Sequence, residues 1–412
     1  MGRRERLLVG LDIGTSKVAA IVGELREGAP IEIIGLGVAE SSGIRCGSVV
    51  NLEAAVTSIR KAVEEAELTA GIEIDNAYLG LSGSQIKGFN SRGVVAVAGK
   101  NREISRDDVR RAIETARAVS LPVGREILHV LPQDFVVDDQ DGVGDPVGMT
   151  GSRIEVNVHI VTCGSATLQN IVTCVNRAGV NVRESVLEQL AAAEAVLSDD
   201  EKQLGVALLD IGAGTTDIAI YEKGSLWHTA VVAFGGGHFT NDIAVGLRVP
   251  IPEAEKLKWR SGCALSAMVG DEDSMEVASV GGRPSRTMAR RILSEVLQPR
   301  AEELFHAVWD EIHRAGYEKA LNSGIVLTGG GANLQGIVEI AEQIFDLPVR
   351  CGEPDGTGGL ADHIRNPSFA TAVGLLKWAG RQRVQDQEPG GHGALGRLTD
   401  RIFGVFREFF QG

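Results

Sequence analysis

The sequence predicts an α/β protein of two related lobes, each opened by the same strand–turn–strand unit. Three observations predict it. An apolar run, Leu7 to Leu11, leads into Asp12-Ile13-Gly14-Thr15-Ser16-Lys17, and a second apolar run, Val18 to Val22, follows. Near the middle, Val206 to Leu209 leads into Asp210-Ile211-Gly212-Ala213-Gly214-Thr215-Thr216-Asp217, and Ile218-Ala219-Ile220-Tyr221 follows. Two glycine-triplet turns in the second half, at Gly235–Gly237 and Gly329–Gly331, each sit between a β-branched run and a helical pattern. Self-similarity at this distance marks a duplicated unit.

Each Asp-Ile-Gly unit reads as a hairpin. A glycine loop that opened a helix would suggest a P-loop or dinucleotide fingerprint. Here β-branched residues continue after the turn, which predicts a second strand. Gly14, Gly212 and Gly214 let the turn adopt positive φ and bring backbone close to a ligand. Successive N–H groups in such a turn form an anion-binding nest. Thr15, Ser16, Thr215 and Thr216 add hydroxyls, and Lys17 adds a point charge suited to a phosphate oxygen. Asp12 and Asp210 would repel phosphate unless a cation lies between them. They read as holders of Mg²⁺ through its waters, since Mg²⁺ keeps several. One such copy is an ordinary turn; two, each opening a half of the chain, point to ATP with Mg²⁺ in a cleft between the halves.

The glycine triplets have a related logic. A strand, a glycine turn and a helix N-terminus let a ligand touch backbone and favour negative charge there. Ile325 to Thr328 lead into Gly329-Gly330-Gly331-Ala332-Asn333, with a helix expected over Leu334–Phe345. Val231 to Phe234 lead into the Gly235 triplet, with His238 and Asn241 just beyond. Taken alone, each triplet is a structural turn and His238 a packing residue; beside the twin hairpins, the Gly329 turn reads as part of the same site.

Composition bounds the rest. A chain of 412 residues holds several domains and needs no disulfide or metal staple. A formal charge of −14 argues against a general nucleic-acid binder, which needs a basic face to displace counterions. Cys46, Cys163, Cys174, Cys263 and Cys351 are scattered, without zinc-ligand spacing or a disulfide framework, which fits a reducing cytoplasm. The basic start is followed by an apolar run that Asp12 and Lys17 interrupt, so no signal peptide is expected. No apolar stretch is long enough to span a bilayer.

After Trp378 the composition changes. Gly380 to Ala394 reads as a flexible linker. Beyond it, Leu395, Leu398, Ile402, Val405 or Phe406, and Phe409 recur at helical spacing, with Arg397 and Arg401 at the flank. Phe403, Phe406, Phe409 and Phe410 are four of the chain's eleven phenylalanines. Such a helix lies in an anionic interface, rings among acyl chains and arginines among headgroups. The alternative occupant of the stripe is the protein's own body or a second copy.

The hairpins, a connecting helix and the Gly329 turn resemble the actin, Hsp70 and hexokinase nucleotide-binding fold. Together with Leu128-His129-Val130-Leu131-Pro132-Gln133-Asp134-Phe135 and Gly235 to Ala244, they closely resemble the FtsA family of bacterial actin-like cell-division proteins. The resemblance runs from about residue 6 to about 378 and resumes in the tail. It implies an actin/Hsp70-like ATPase fold with a duplicated ribonuclease-H-like core. Subdomain 1A would be residues 1–82 and 166–200, an inserted SHS2-type 1C 83–165, 2A 201–235 and 322–380, and 2B 236–321. A linker, 381–394, would precede the membrane helix, 395–412. Within 1C, a strand is expected over Val94–Ala98, a helix over Arg106–Ala118, and long strands over Glu126–Val137 and Arg153–Thr162.

Carried over by motif, the phosphate side falls on Gly14, Thr15, Ser16, Lys17, Gly212, Gly214, Thr215 and Thr216. The adenosine side falls on Gly329, Gly330, Gly331 and Asn333, with the Glu255/Lys258 pair, which alone reads as a solvated helix face, near the ribose; Gly236 and Asn241 are further cofactor contacts. Glu188 would orient the attacking water beside Asp12 and Asp210, on a connecting helix where relatives of the superfamily often carry Glu-Pro and this chain has Glu188-Gln189. Ala191 to Ala193 read there as helix filler, and the departure argues for at most weak hydrolysis.

The family further implies a peripheral protein on the cytoplasmic face of the inner membrane at the division site. It would tether the FtsZ ring, polymerise with itself, touch anionic lipid and recruit other division proteins. The acidic FtsZ tail would meet 2B, where a helix is expected over Ser285–Leu304 with Arg286, Arg290 and Arg300 on it; as a bare pattern these are a solvated charged face. The alternative is a pilus-assembly relative of the same fold.

Overall fold

The computed structural model describes residues 6–26, 28–99, 101–277 and 285–387, with only the backbone for 384–387. Two sheets carry the duplication. In the first, Ile31–Glu40, Lys17–Glu24 and Leu7–Ile13 run antiparallel in turn, and Asn76–Leu81 and Asn181–Leu187 continue in parallel. In the second, Ser225–Val232, Thr216–Glu222 and Val206–Ile211 run antiparallel, and Ile325–Thr328 and Val349–Cys351 continue in parallel. The order and sense of these five strands are the same in both. The first sheet adds Thr357–Gly359, from the second half of the chain, beside Ile31–Glu40. The central strands are buried on both faces, which is why they read as unbroken apolar runs rather than alternating ones.

Two helices bind the lobes together. Glu188–Val196 leaves the first sheet, and Ala370–Gln387 ends the second half, yet they pack on each other and reach into opposite lobes. Ala191, Ala192 and Ala193 are fully buried, and a Cβ on Gly374 would lie 1.7 Å from the Ala191 carbonyl oxygen. The alanine run is therefore more than filler: with Gly374 it lets the two backbones approach closely.

A third sheet, ordered Lys87–Ala96, Arg153–Gly164, Arg125–Val137 and Gln140–Val143, is wholly antiparallel and packs the Arg106–Arg117 helix on one face. It has its own core around Phe135, Ile154 and Ile113. His129 ties it to the first lobe by accepting from the Leu187 N–H at 3.0 Å. Burial lowers that imidazole to about 4, so it is neutral and free to accept.

Four local expectations are corrected. The helix expected over Ser285–Leu304 is a strand, Arg286–Ala289, paired with Ser274–Val277, followed by a helix over Arg290–Ala315. The helix after the Gly329 turn begins at Ile337, because Gly336 adopts φ +76° and separates it from a short 3₁₀ turn over Gly330–Asn333. The Val94–Ala98 strand is Lys87–Ala96, its solvent-facing polar residues hiding the earlier start. The expected linker is helical through Gln387: residues 381–387 are good helix formers, and the breakers Pro389 and Gly390 come later. The tail stripe, Leu398, Ile402, Phe403, Phe406, Phe409 and Phe410, lies outside the described residues.

Candidate functional site

The two hairpin turns close in the same way. The Gly14 N–H donates to the Lys17 carbonyl at 3.0 Å, and the Gly212 N–H to the Thr215 carbonyl at 2.9 Å. The tips face each other across the cleft. The Cys46 N–H donates to Thr15 Oγ1 at 3.1 Å, and Cys46 Sγ lies 3.6 Å from the Gly214 carbonyl.

Carboxylates line the floor between the tips. Burial raises the Asp12 carboxyl, with Lys17 opposing the shift. Burial, then Asp12, raises Asp210 to about 6. Burial, then Asp12, Asp217 and Asp210, pushes Glu188 well above its usual range. Asp12 and Asp210 share Lys17 as their opposing charge. Lys17 itself donates to the Ser368 carbonyl, and its ammonium lies 3.9 Å over the Phe369 ring. Thr371 Oγ1 donates to Asp210 at 3.1 Å. A divalent cation is the species that would let such a floor ionise.

A cavity with about 160 Å³ open to water continues from the tips into the second lobe. Ser16, Gly212, Gly236, Glu255, Lys258, Gly330, Gly331 and Asn333 line it, so residues from both hairpins and both glycine turns meet there. The Lys258 ammonium donates to the Gly236 carbonyl, Thr240 Oγ1 and Glu255 at 2.8–2.9 Å. That makes the Glu255/Lys258 stretch a fixed wall rather than a solvated face. Asn333 is locked by a reciprocal amide pair with Asn366, 3.1 Å each way. A Cβ on Gly330 would have no neighbour nearer than 4.0 Å, so the open space at Gly330 is cradle, not packing.

Other expected residues serve differently. The Gly236 and Gly237 N–H groups donate to the Gly212 and Ala213 carbonyls at 2.8 Å, so this turn buttresses the second hairpin instead of offering donors. Thr216 Oγ1 donates to the Phe234 carbonyl. His238 accepts from the Gly235 N–H and packs on Phe234. Asn241 is exposed on the Gly236–Leu247 helix and does not line the cavity.

The three arginines assigned to a partner are engaged within the chain. Arg286 donates to the Leu247 carbonyl from its strand, so it and Arg290 are not one helical turn apart. Arg300 pairs with Asp242 and Glu303. Arg290 lines the cavity, donating to the Ser261 carbonyl at 2.7 Å and to Gln335. Sequence reasoning also missed Phe239, Trp259 and Gln335 on the cavity wall and gave Asp217 no role. Asp217 was the findable one: it stands directly opposite Asp210 in the hairpin register.

Gly14, Gly212 and Gly214 do not adopt the positive φ expected of them; their use is close approach, a Cβ on Gly214 lying 2.9 Å from Thr15 Oγ1. Tight hairpin turns, a lysine, paired carboxylates and a glycine-lined cavity together suit a polyphosphate carrying a divalent cation and a planar group beyond it. Known proteins agree on the fold. Residues 207–374 match the family described as cell division protein FtsA, and 83–162 the SHS2 domain inserted in FtsA. Residues 146–266 match the type IV pilus assembly protein PilM family. Cell division protein FtsA of Pseudomonas aeruginosa is 48% identical, the match covering 92% of this chain and 91% of that protein. Its counterpart in Neisseria meningitidis serogroup B is 44% identical, covering 98% and 100%. Among solved structures, the PilM–PilN type IV pilus biogenesis complex aligns with a TM-score of 0.65 at 16% identity, covering 90% of this chain and 98% of that one. MreB5 of Spiroplasma citri bound to AMPPNP aligns with a TM-score of 0.56 at 16% identity, covering 92% and 98%.

Proposed function

This chain belongs to the FtsA family of cell-division proteins and has its actin-like fold with an SHS2 insertion, and from that premise we propose that it binds ATP with Mg²⁺ in the cleft. The observation that carries the reading is the single cavity joining both hairpins to the Gly329 turn. The nucleotide in the Spiroplasma structure, on the same fold, supports it.

In this reading the turns 14–17 and 212–216 hold the phosphates through the N–H groups between their closing bonds and through their hydroxyls, and Lys17 leaves the Ser368 carbonyl to meet one of them. Lys258, Glu255 and Asn333 fix the nucleoside end. Asp12 and Asp210 would hold Mg²⁺ through its waters, and the ion would supply charge neutralisation for the phosphates. Glu188, raised well above its usual range by burial and by Asp12, Asp217 and Asp210, would orient a water beside the phosphates. Turnover is slow, and binding rather than hydrolysis is the purpose.

The rest of the proposal follows the family. Nucleotide favours a closed form that polymerises, residues 395–412 hold the chain on anionic inner-membrane lipid, and residues 236–321 receive the FtsZ tail. Residues 83–165 recruit later division proteins. None of the described helices is long and apolar enough to cross a membrane. Isothermal titration with ATP and Mg²⁺ tests the core of the reading. The parent binds, and an Asp210→Ala, Thr215→Ala variant loses at least about tenfold in affinity, which is about 1.4 kcal/mol. A parent that takes up no ATP leaves a nucleotide-independent membrane adaptor.

A further inference from the structure

The cleft floor holds a contact that neither lobe makes alone. Asp217, on the second lobe's Thr216–Glu222 strand, is 3% exposed. Ser82 Oγ lies 2.9 and 2.8 Å from its two oxygens. Gln189 Nε2 donates to Oδ1 at 2.9 Å, and Thr215 Oγ1 to Oδ2 at 3.2 Å. Ser82 and Gln189 belong to the first lobe: one follows the Asn76–Leu81 strand, the other is the second residue of the Glu188–Val196 helix. The sequence singled out both positions and left both unused. Asp217 ends the second hairpin motif, and Gln189 stands where superfamily relatives often have proline.

Besides the helix packing that binds the lobes, two contacts span the cleft close to the hairpins. The one at the tips is a thiol facing a carbonyl at 3.6 Å, and a thiol is a weak donor. The one on the floor places two first-lobe donors on the oxygens of a buried aspartate. Of these two, the floor contact has the more hydrogen bonds and lies next to Glu188. Gln189 is fully buried, and its amide oxygen has no hydrogen-bond partner. An unmet acceptor is a packing penalty, and what the side chain gains is this bond across the cleft.

We propose that Asp217 and Gln189 are positioning residues whose bond, reinforced by Ser82, holds the lobes closed over bound nucleotide and fixes Glu188 against the hairpins. The proposal rests on the reading of the cleft as a nucleotide site. Gln189 follows Glu188 in the first turn of one helix, so a second-lobe carboxylate that grips Gln189 also sets where Glu188 stands. Opening the cleft breaks this bond; closing it remakes the bond.

The test is release of a fluorescent ATP analogue from the full chain, chased with unlabelled ATP in Mg²⁺. Gln189→Met keeps the packing and removes the bond; Asp217→Asn removes the charge. Each is expected to speed release about tenfold, and the double variant to release no faster than the faster single one, because one bond serves both. Ser82→Ala, at a half-buried site, gives a smaller acceleration and decides the matter if the buried variants fail to fold. Unchanged release in the single variants, or effects that multiply in the double, would overturn the proposal. Hydrogen exchange on the empty protein separates this from the nucleotide reading. If the parent binds no analogue, that reading fails, and the joint still stands or falls on whether Gln189→Met accelerates exchange across residues 189–196.

Discussion

Adjacent glycines of one turn, Gly329 and Gly330, are expected to fail in different ways when given a side chain. Gly329 has φ 81° and ψ 173°, a region essentially reserved for glycine. A Cβ there would lie 2.2 Å from Asp210 Oδ1 and 2.7 Å from the Ile211 carbonyl oxygen. The backbone alone costs about 1–3 kcal/mol, and forcing atoms into a packed site costs about 1–3 more. Gly329→Ala therefore removes about 2–6 kcal/mol from a stability of about 5–15. Gly330 has no such demand, its nearest added contact being 4.0 Å away. Gly330→Val should melt within about 0.5 kcal/mol of the parent while filling the cradle, so that ATP affinity falls at least about tenfold. Thermal melts and isothermal titration on the two variants separate the effects. A Gly330→Val protein that binds like the parent would remove the turn from the site; a Gly329→Ala protein that melts like the parent would show that the turn is not held as described.

The acidic floor gives a pH prediction. Asp210 and Asp217 are raised to about 6 and about 7, against 3.8 in the unfolded chain. Between these values the folded state keeps protons that the unfolded state has lost, so this pair's contribution is full below pH 3.8 and lost as pH rises through 7. In metal-free urea titrations, Asp217→Asn should flatten the fall in stability between pH 5 and 7.5, and a variant with the parent's slope would contradict the assignment. Binding of Mg²⁺ and ATP should in turn release protons, read as a dependence of titration heat on the buffer's ionisation enthalpy. Arg290→Ala removes bonds to Ser261 and Gln335 on the cavity wall; it should weaken ATP binding several-fold while an acidic FtsZ-tail peptide still binds, and the reverse pattern would return Arg290 to the partner surface. For the tail, Phe403→Asp with Phe406→Asp should abolish flotation on anionic vesicles, and unchanged flotation would remove the anchor.

The hairpins were legible because their signal is local: apolar strands on both sides of a glycine turn fix a register such as Ile13 opposite Val18. What the sequence hid was non-local. The alanines of 191–193 look like filler until the 370–387 helix is laid against them. Arg290 looks like a surface charge because nothing in its own helix reveals Ser261 and Gln335, which lie far away in the chain. Asp217 and Gln189 belong to different lobes, and no periodicity connects them. Residues 381–387 read as linker from the glycines on either side, although their own propensities favour the helix they form. Local chemistry announced the hairpins; the cavity wall around Lys258 and Asn333 and the joint between the lobes are products of tertiary packing.

The most direct measurement is a crystal structure of the full chain with a non-hydrolysable ATP analogue and Mg²⁺. The account predicts phosphates between residues 14–17 and 212–216, the ion over Asp12 and Asp210, and the nucleoside in the cavity of Lys258, Gly330 and Asn333. An analogue found elsewhere on the chain, or a cleft that stays empty at saturating nucleotide, would contradict it.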